Sequence, residues 1–132
     1  MASWTSEVWF IPTKRRPRFT KSGRAYDPKE NRDEAAMIRD AYGDGPLFDG
    51  PVMLNIAVYS GMPGSGKKDS EPFTVKPDAD NIAKAIADAL QGGRGIEPLA
   101  FNDDKQIVCL IVCKHDRRKG ETSRTVFTVS EM

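Results

Sequence analysis

Hydrophobic residues recur along this chain with two different periods. The segment VMLNIAVY, from Val52 to Tyr59, partly alternates and is rich in β-forming side chains, and TSRTVFTVSEM near the end alternates in the same way. QIVCLIVCKH is instead an unbroken apolar, β-branched run. Alternation is typical of a half-buried strand, whereas an unbroken run is typical of a strand that is buried on both faces. We therefore predict three strands, of which QIVCLIVCKH is buried.

The segment AYDPKENRDEAAMIRDAYG shows the helical period. Ile38 and Tyr42 lie four residues apart and so share a face of the predicted helix. Asp27 is the predicted N-cap, Pro28 occupies the first helical position, and Glu30 completes a capping box.

A second helix is predicted over NIAKAIADALQGG, in which Ile82, Ile86 and Leu90 form an apolar stripe that ends before Gly92. With EVWFI (Glu7 to Ile11) as a first short strand, the order of elements is β-α-β-α-β-β. This order predicts an α+β fold, a mixed sheet with two helices packed on it.

Length and composition place the chain among ordinary globular proteins. It has 132 residues, 39% hydrophobic and 30% charged, which predicts a single domain over residues 1–132 with a core of its own. The start, MASWTSEVWFIP, does not read as a secretory signal, and no apolar stretch approaches the length of a membrane span. Two cysteines, Cys109 and Cys113, in such a chain predict a reducing cytoplasm. Cys109, Cys113 and His115 together are candidate zinc ligands, but burial of the cysteines among apolar neighbours is the favoured interpretation.

Positive charge is concentrated in a few segments although the net charge is only +1. The stretch KRRPRFTKSGR carries six cations and no anion, at Lys14, Arg15, Arg16, Arg18, Lys21 and Arg24. Lys67 and Lys68 form a second basic spot, and KHDRRK a third. Such clusters are either solvated loops or local positive surface for an anionic partner.

The segment GMPGSGKK approaches the phosphate-binding pattern G-x-x-x-x-G-K-[ST], but Lys68 stands where the Mg²⁺-binding hydroxyl is required. Pro72 and Pro77 follow, so the loop does not open directly into a long helix, whose N-terminus such a site needs. We therefore expect no nucleotide cofactor at this loop.

Acidic residues form the most informative pattern, in KPDADNIAKAIADAL. Pro77 favours an extended conformation at Lys76, and in an extended stretch Asp78 and Asp80, which are two residues apart, point to the same side. Lys84 follows Asp80 by one helical turn, on the face opposite the apolar stripe.

A second acidic pair, Asp103 and Asp104, comes just before the unbroken apolar run, in FNDDKQIVCL. Crowded carboxylates repel unless a cation neutralises them, and Mg²⁺ is commonly held by one or two carboxylates together with phosphate oxygens. The alternative interpretation is structural, with Asp78 or Asp80 as a helix cap and the second pair as a turn.

The two-part pattern K-P-D-x-D-N-x-x-K-A-x-x-D-A-L followed by x-D-D-x-Q-I resembles the RusA family of Holliday-junction resolvases over Lys76 to Ile107. The resemblance implies a RusA-like fold, a homodimer, and Mg²⁺-dependent cutting of four-way DNA junctions, with Mn²⁺ as an alternative ion. It also implies a bacterial cell or a phage-infected host, with a role in DNA recombination and repair and a phage or prophage origin.

Matched onto this chain, the resemblance makes Asp78, Asp80 and Asp104 catalytic metal ligands, with Asp103 as a possible fourth, and Lys84 the catalytic cation. Asn81, Asp88 and Gln106 match motif positions to which only supporting roles are given. The basic residues named above, from Lys14 to Arg24 and at Lys67 and Lys68, become the expected DNA contacts. There are three alternative functions. The protein could be a nuclease that cuts other branched DNA, a junction-binding protein without cleavage activity, or a nucleotide-binding module.

Overall fold

The computed structural model describes residues 2–93 and 95–132. Its elements are β1 (Ser3–Val8), β2 (Arg18–Phe19), β3 (Ala25–Tyr26), α1 (Lys29–Tyr42), β4 (Val52–Tyr59), β5 (Gly61–Met62), β6 (Ser70–Glu71), α2 (Ala79–Gln91), a short 3₁₀ helix (Asp104–Gln106), β7 (Ile107–Lys114), β8 (Arg117–Lys119) and β9 (Arg124–Glu131). The long elements follow the predicted β-α-β-α-β-β order.

A mixed four-stranded sheet forms the centre of the molecule, in the order β1-β9-β4-β7. β4 runs parallel to β7 and antiparallel to β9, which in turn pairs antiparallel with β1. The helices α1 and α2 contact each other, α1 packs against β1, and α2 packs against β7. The predicted α+β fold, with two helices on a mixed sheet, is therefore confirmed.

The core lies between the helices and one face of the sheet. Alternate residues of β4, namely Val52, Leu54, Ile56 and Val58, are completely buried there. The apolar stripe of α2 and the α1 residues Ile38 and Tyr42 cover them. Burial of each large aliphatic side chain contributes about 1.5–3 kcal/mol, so this interface fixes α2 on the sheet.

The first helix begins one residue later than a capping box at Asp27 requires. Pro28 occupies the N-cap position and no side chain caps the helix. Asp27 instead accepts a 2.8 Å hydrogen bond from Asn31 Nδ2, and Glu30 pairs with Arg18. Both side chains on which the capping prediction relied therefore have other partners, Asp27 one turn later in the chain and Glu30 in the basic stretch.

β7 is a strand, as predicted, but the prediction that it is buried is wrong. It ends the sheet, and Val108 and Leu110 are 62% and 51% exposed. Cys113 is exposed as well, contrary to the expected burial of the cysteines. The composition of this apolar run is typical of a central strand, but in this fold the strand lies at the edge of the sheet. The first strand is also displaced, to Ser3–Val8.

The fold contains two small sheets in addition to the central one. β2 and β3 form a hairpin within the basic stretch, and β5, β8 and β6 form a three-stranded sheet from the glycine-rich loop and the segment that connects β7 to β9. In the glycine-rich loop, Lys68 is followed by β6, and the next helix begins only at Ala79. No helix in the described ranges is long and apolar enough to cross a membrane.

Candidate active site

A groove of about 320 Å³ runs between α2 and the edge strand β7. It is lined by Asp80, Ala83, Lys84, Ala87, Asp88, Asp104, Ile107 and Leu110. Alanine side chains leave room between helix and strand, so the groove has an apolar floor and charged walls. It contains three of the four residues predicted to be catalytic, namely Asp80, Lys84 and Asp104.

The helix α2 presents its charged residues to this groove at helical spacing. Asp80, Lys84 and Asp88 are four residues apart, on the side away from the buried stripe. Lys84 is exposed and makes no ion pair with the residues that the structure describes. Its ammonium group is therefore available to an anion that enters the groove.

Asp78 lies just outside the helix, at the N-cap position, where its exposed side chain makes no capping hydrogen bond. Because α2 already begins at Ala79, Asp80 is in the first helical turn. The argument that an extended backbone points Asp78 and Asp80 to the same side is therefore wrong. Since Asp78 is not engaged in capping, its carboxylate remains free for a ligand.

Lys114, the last residue of β7, holds the chain that leads to Asp78. Its Nζ donates hydrogen bonds of 2.8 Å to the carbonyl of Val75 and 2.9 Å to that of Pro77, and it lies 4.2 Å from the centroid of the Phe73 ring. The start of α2 is thereby fixed to the carboxyl end of β7. No sequence pattern indicated this role for Lys114.

The two members of the second acidic pair have different environments. Asp103 caps the 3₁₀ helix, with its Oδ1 accepting a 2.9 Å hydrogen bond from the Lys105 N–H, and this bond lowers the pKa of the Asp103 carboxyl below its ordinary value. Asp104 is exposed and lines the groove. The alternative that this acidic pair is a structural turn therefore holds for Asp103. Asp104 is the member of the pair that faces the groove.

Gln106 anchors this turn to the rest of the fold. Its Oε1 accepts hydrogen bonds from the N–H groups of Asn102 and Asp103, and its Nε2 donates to the carbonyls of Phe48 and Gly50 at 2.8 and 2.9 Å. Both ends of one carboxamide are used, so Gln106 determines where Asp104 lies relative to β4.

The backbone places Asp104 far from Asp78 and Asp80 within one chain. The Asp104 N–H donates a 2.7 Å hydrogen bond to Oε1 of Gln91, the last residue of α2. Asp80 is eleven residues earlier on the same helix, about 16 Å along its axis. Consistently, Asp104 precedes β7 whereas Lys114 at its far end holds the Asp78 segment, about 23 Å away along the strand.

The groove therefore has one predicted acid at each end, and a single chain does not bring them together. Among the residues of known placement, no three His, Cys, Asp or Glu side chains converge as a possible metal site. The chemistry of the donors suits Mg²⁺, since all are carboxylates, but a complete set needs ligands from elsewhere.

Two asparagines fix the beginning of the basic stretch. Asn81 Oδ1 accepts a 2.7 Å hydrogen bond from the Lys14 N–H, and Asn81 Nδ2 donates a 3.0 Å bond to the Lys14 carbonyl. Asn31 likewise accepts a hydrogen bond from the Arg15 N–H and donates one to the Arg15 carbonyl, both 2.9 Å long. Lys14 Nζ then lies 3.3 Å from Asp88 Oδ2, beside the groove. The sequence assigned Asn81 only a supporting role. In the structure, Asn81 supports the backbone of Lys14.

The remaining basic residues divide into two groups. Arg15 and Arg18 are paired with Glu34 and Glu30 of α1, each at 2.9 Å. The other predicted DNA contacts are exposed and make no ion pair within the described part of the chain; they are Arg16, Lys21, Arg24, Lys67 and Lys68. Their charges are uncompensated, so the positive surface resides in this second group.

Comparison with known proteins identifies the family. A family model described as Endodeoxyribonuclease RusA matches residues 10–129. The chain belongs to the RusA endodeoxyribonuclease family. The match includes every residue of the groove and both groups of basic residues, and the RusA resemblance of the acidic pattern is thereby confirmed.

The RusA-family chain is also similar to Uncharacterized protein YqaN of Bacillus subtilis (strain 168). The two are 34% identical over 89 residues, which is 60% of this chain and 58% of YqaN. The chain thus matches little more than half the length of this relative.

Proposed function

We propose that the protein is a Mg²⁺-dependent endodeoxyribonuclease that resolves four-way DNA junctions by paired nicks. The observation that carries the proposal is the groove between α2 and β7, which holds Asp80, Lys84 and Asp104 inside a region matched to an endodeoxyribonuclease family. In this proposal the protein acts as a homodimer in the bacterial or phage-infected cytoplasm, in recombination and repair, and is of phage or prophage origin.

Asp78, Asp80 and Asp104 are the residues proposed to hold the metal ion, with Mn²⁺ as a substitute for Mg²⁺. Such an ion would supply a water of lowered pKa and would stabilise negative charge on the phosphate. Asp103 is the weakest candidate ligand, since one of its oxygens already caps the 3₁₀ helix.

Lys84 supports the proposal through its position between the acids. An exposed ammonium group without a protein partner offsets the charge that develops on a phosphate. The uncompensated cations of the hairpin and of the glycine-rich loop would bind the flanking backbone, so affinity should fall steeply with salt.

The test is cleavage of a synthetic mobile four-way junction with Mg²⁺ and without it, next to flaps, forks and linear duplexes of the same sequence. We expect symmetric nicks in the junction that require the ion. Preferential cutting of flaps or forks would instead establish a nuclease for other branched DNA. Metal-independent binding without any product would establish a junction-binding protein.

The informative variant is Asp80→Asn, with Asp44→Asn, an exposed turn residue outside the groove, as the matched control. We expect Asp80→Asn to lower the cleavage rate by at least about 100-fold, because it removes one charge from the site without changing its size. Junction binding should persist or tighten, since a negative charge near phosphate has gone. Cleavage by Asp80→Asn at the wild-type rate would remove Asp80 from the site.

A further inference from the structure

We propose that His115 is a base-binding residue, whose imidazole stacks on an exposed nucleobase of a DNA strand at the face of the sheet away from the helices. The inference rests on the proposed function only for the identity of the polymer. Base binding is measured without metal and without cleavage, so the two proposals can fail separately.

A three-layer stack of side chains lies across the end of the central sheet. The Tyr59 and His115 rings are parallel within 1°, with their centroids 4.5 Å apart, and the guanidinium carbon of Arg124 lies 4.1 Å from the Tyr59 centroid. Because β4 lies between β9 and β7, the guanidinium and the imidazole reach the Tyr59 ring from opposite sides. The layers therefore follow the order Arg124, Tyr59, His115.

Strand alternation puts this stack on the face of the sheet that the helices do not cover. Val58 and Thr125 are completely buried in the core, so their neighbours Tyr59 and Arg124 point to the opposite face. The next residue after Lys114, which binds the chain before α2, is His115, and its ring stacks on Tyr59. The outer face of the sheet thus carries the stack.

Neighbouring groups hold the stack in place. Arg124 Nη1 is 3.8 Å from Glu7 Oε1, and the His115 N–H donates a 2.9 Å hydrogen bond to the Val58 carbonyl. The Tyr59 ring between them is half-buried. A side chain that its neighbours already fix loses less conformational entropy when a ligand binds. The imidazole of His115 therefore offers a preorganised surface.

His115 ends the stack with one face of its ring open. β7 is at the edge of the sheet, no strand within residues 2–93 and 95–132 pairs with its outer side, and His115 is exposed. Exposed faces of aromatic side chains, including histidine, bind unstacked bases, and every base has such a face whatever the sequence. A base on His115 would add a fourth layer to the stack.

The surroundings of the imidazole favour a base over an isolated phosphate. Ile111 and Cys113 precede His115 on the same face of β7, and both are exposed and uncharged. Asp116 follows His115 directly and is exposed, so its negative charge disfavours a phosphate at this point. A neutral aromatic ligand meets neither obstacle.

Two cations beyond His115 suit the backbone that carries the base. Arg118 and Lys119 of β8 are exposed and make no ion pair with the residues whose placement is described. Arg117 is instead paired at 2.9 Å with Glu71, which fixes β8 on β6. From His115 to Arg118 the chain spans at most about 10 Å, so one DNA strand can contact both.

The stack lies at the end of β7 to which the first acidic segment is fixed. Lys114, the residue before His115, donates hydrogen bonds to the carbonyls of Val75 and Pro77, and Asp78 comes next. A DNA strand that passes this end of the sheet meets both features. Strands diverge at the centre of a four-way junction, where bases lose a stacking neighbour, and this centre is the expected source of the bound base.

NMR tests the inference on the untagged chain, in which His115 is the only histidine. Its two imidazole C–H resonances are followed at pH 8 while a short single-stranded oligonucleotide is added without divalent metal. A stacked base moves both resonances upfield through its ring current, and a purine moves them further than a pyrimidine. The control is an abasic strand with the same number of phosphates. An equal shift with the abasic strand, or no shift with either, would overturn the proposal.

Affinity separates stacking from a structural role of the side chain. His115→Gln removes the ring, whereas the matched His115→Phe keeps an aromatic face. We expect His115→Gln to weaken single-strand binding at least about 5-fold and His115→Phe to stay within about 2-fold of the wild type. The salt slope should be unchanged in His115→Gln and reduced by about 0.7 in Arg118→Ala. Equal losses of affinity in the two His115 variants would contradict stacking.

Two further outcomes separate the inference from its alternatives. If the imidazole resonances of the free protein change on dilution, a second copy of the chain covers the ring and the inference fails. If the wild type cuts junctions but no single strand shifts these resonances, the nuclease function stands and the base site fails. An upfield shift in a protein that cuts no junction would keep the base site and remove the nuclease function.

Discussion

Asn81 holds the backbone of Lys14 from both sides, accepting a 2.7 Å hydrogen bond from its N–H and donating a 3.0 Å bond to its carbonyl. Asn81 is the third residue of α2, one after Asp80. The helix that carries the candidate acids therefore also fixes the start of the basic stretch, so the basic stretch and the groove share one rigid support.

We predict that Asn81→Ala lowers the free energy of unfolding by about 1–2 kcal/mol, because two hydrogen bonds to partly buried backbone groups are lost. Cleavage should fall as well, since Lys14 would no longer be held beside Asp88. If the second effect passes through Lys14, the Asn81→Ala/Lys14→Met double variant loses less than the sum of the single losses. Urea unfolding and single-turnover cleavage measure the two effects, and additive rate losses would contradict the connection.

The division of the basic residues predicts different salt dependences of junction binding. Substituting Arg16, Lys21 and Arg24 with Ala should reduce the slope of log affinity against log salt by about 2–3, because each lost phosphate contact removes about 0.9. Substituting Arg15 and Arg18 should reduce it less, since Glu34 and Glu30 already compensate their charges. Binding titrations without divalent metal measure both slopes, and equal slopes for the two variants would refute the division.

Gln106→Glu should destabilise the fold by about 2 kcal/mol or more. The substitution keeps the size of the side chain but replaces the Nε2 donor, which serves the carbonyls of Phe48 and Gly50, with an oxygen that repels them. Urea unfolding measures the change, with the exposed Glu121→Gln as a control. Because Asp104 shares this turn, cleavage at a temperature where the variant remains folded should also fall; full activity would show that the turn does not position Asp104.

Stability should decline in alkali through Tyr42. Burial raises the pKa of Tyr42 to about 12, from an ordinary value near 10. A raised pKa means that the folded protein favours the protonated phenol, whose hydroxyl donates to the Pro46 carbonyl. The contribution of the protonated Tyr42 phenol to the free energy of unfolding is therefore complete below about pH 10 and is lost as the pH rises towards 12.

The measurement for Tyr42 is urea unfolding between pH 8 and 11. Tyr42→Phe should be less stable at pH 8 but should lose less stability as the pH rises. The exposed Tyr26→Phe serves as the control and should follow the wild type. Parallel curves for Tyr42→Phe and the wild type would show that Tyr42 does not govern the alkaline loss.

Several elements were predictable because local physics decides them. β4 and the stripe Ile82, Ile86 and Leu90 occur as the hydrophobic periods indicate, and these residues of the stripe are completely buried. The acidic pattern resembles the RusA family in its residue types and spacing. The placement of Asp80, Lys84 and Asp88 on one helical face was predictable because it depends only on the turn of a helix.

Other features depended on contacts between distant parts of the chain. The apolar run of β7 predicts a strand, but whether that strand is central or at an edge depends on which strands pair, a choice made by the whole sheet. The roles of Asn81, Gln91 and Lys114 depend on partners 67, 13 and about 37–39 residues away, which no local pattern specifies.

The sequence by itself determined the two helices, the long strands and the set of acids and cations, since local periodicity and residue chemistry suffice for these. Only the tertiary structure decided where the acids lie. The parallel connection from β4 through α2 to β7 makes α2 run opposite to β7, so Asp80 and Asp104 occupy opposite ends of one groove. That arrangement arises from chain direction in three dimensions, which residue types and spacing do not encode locally.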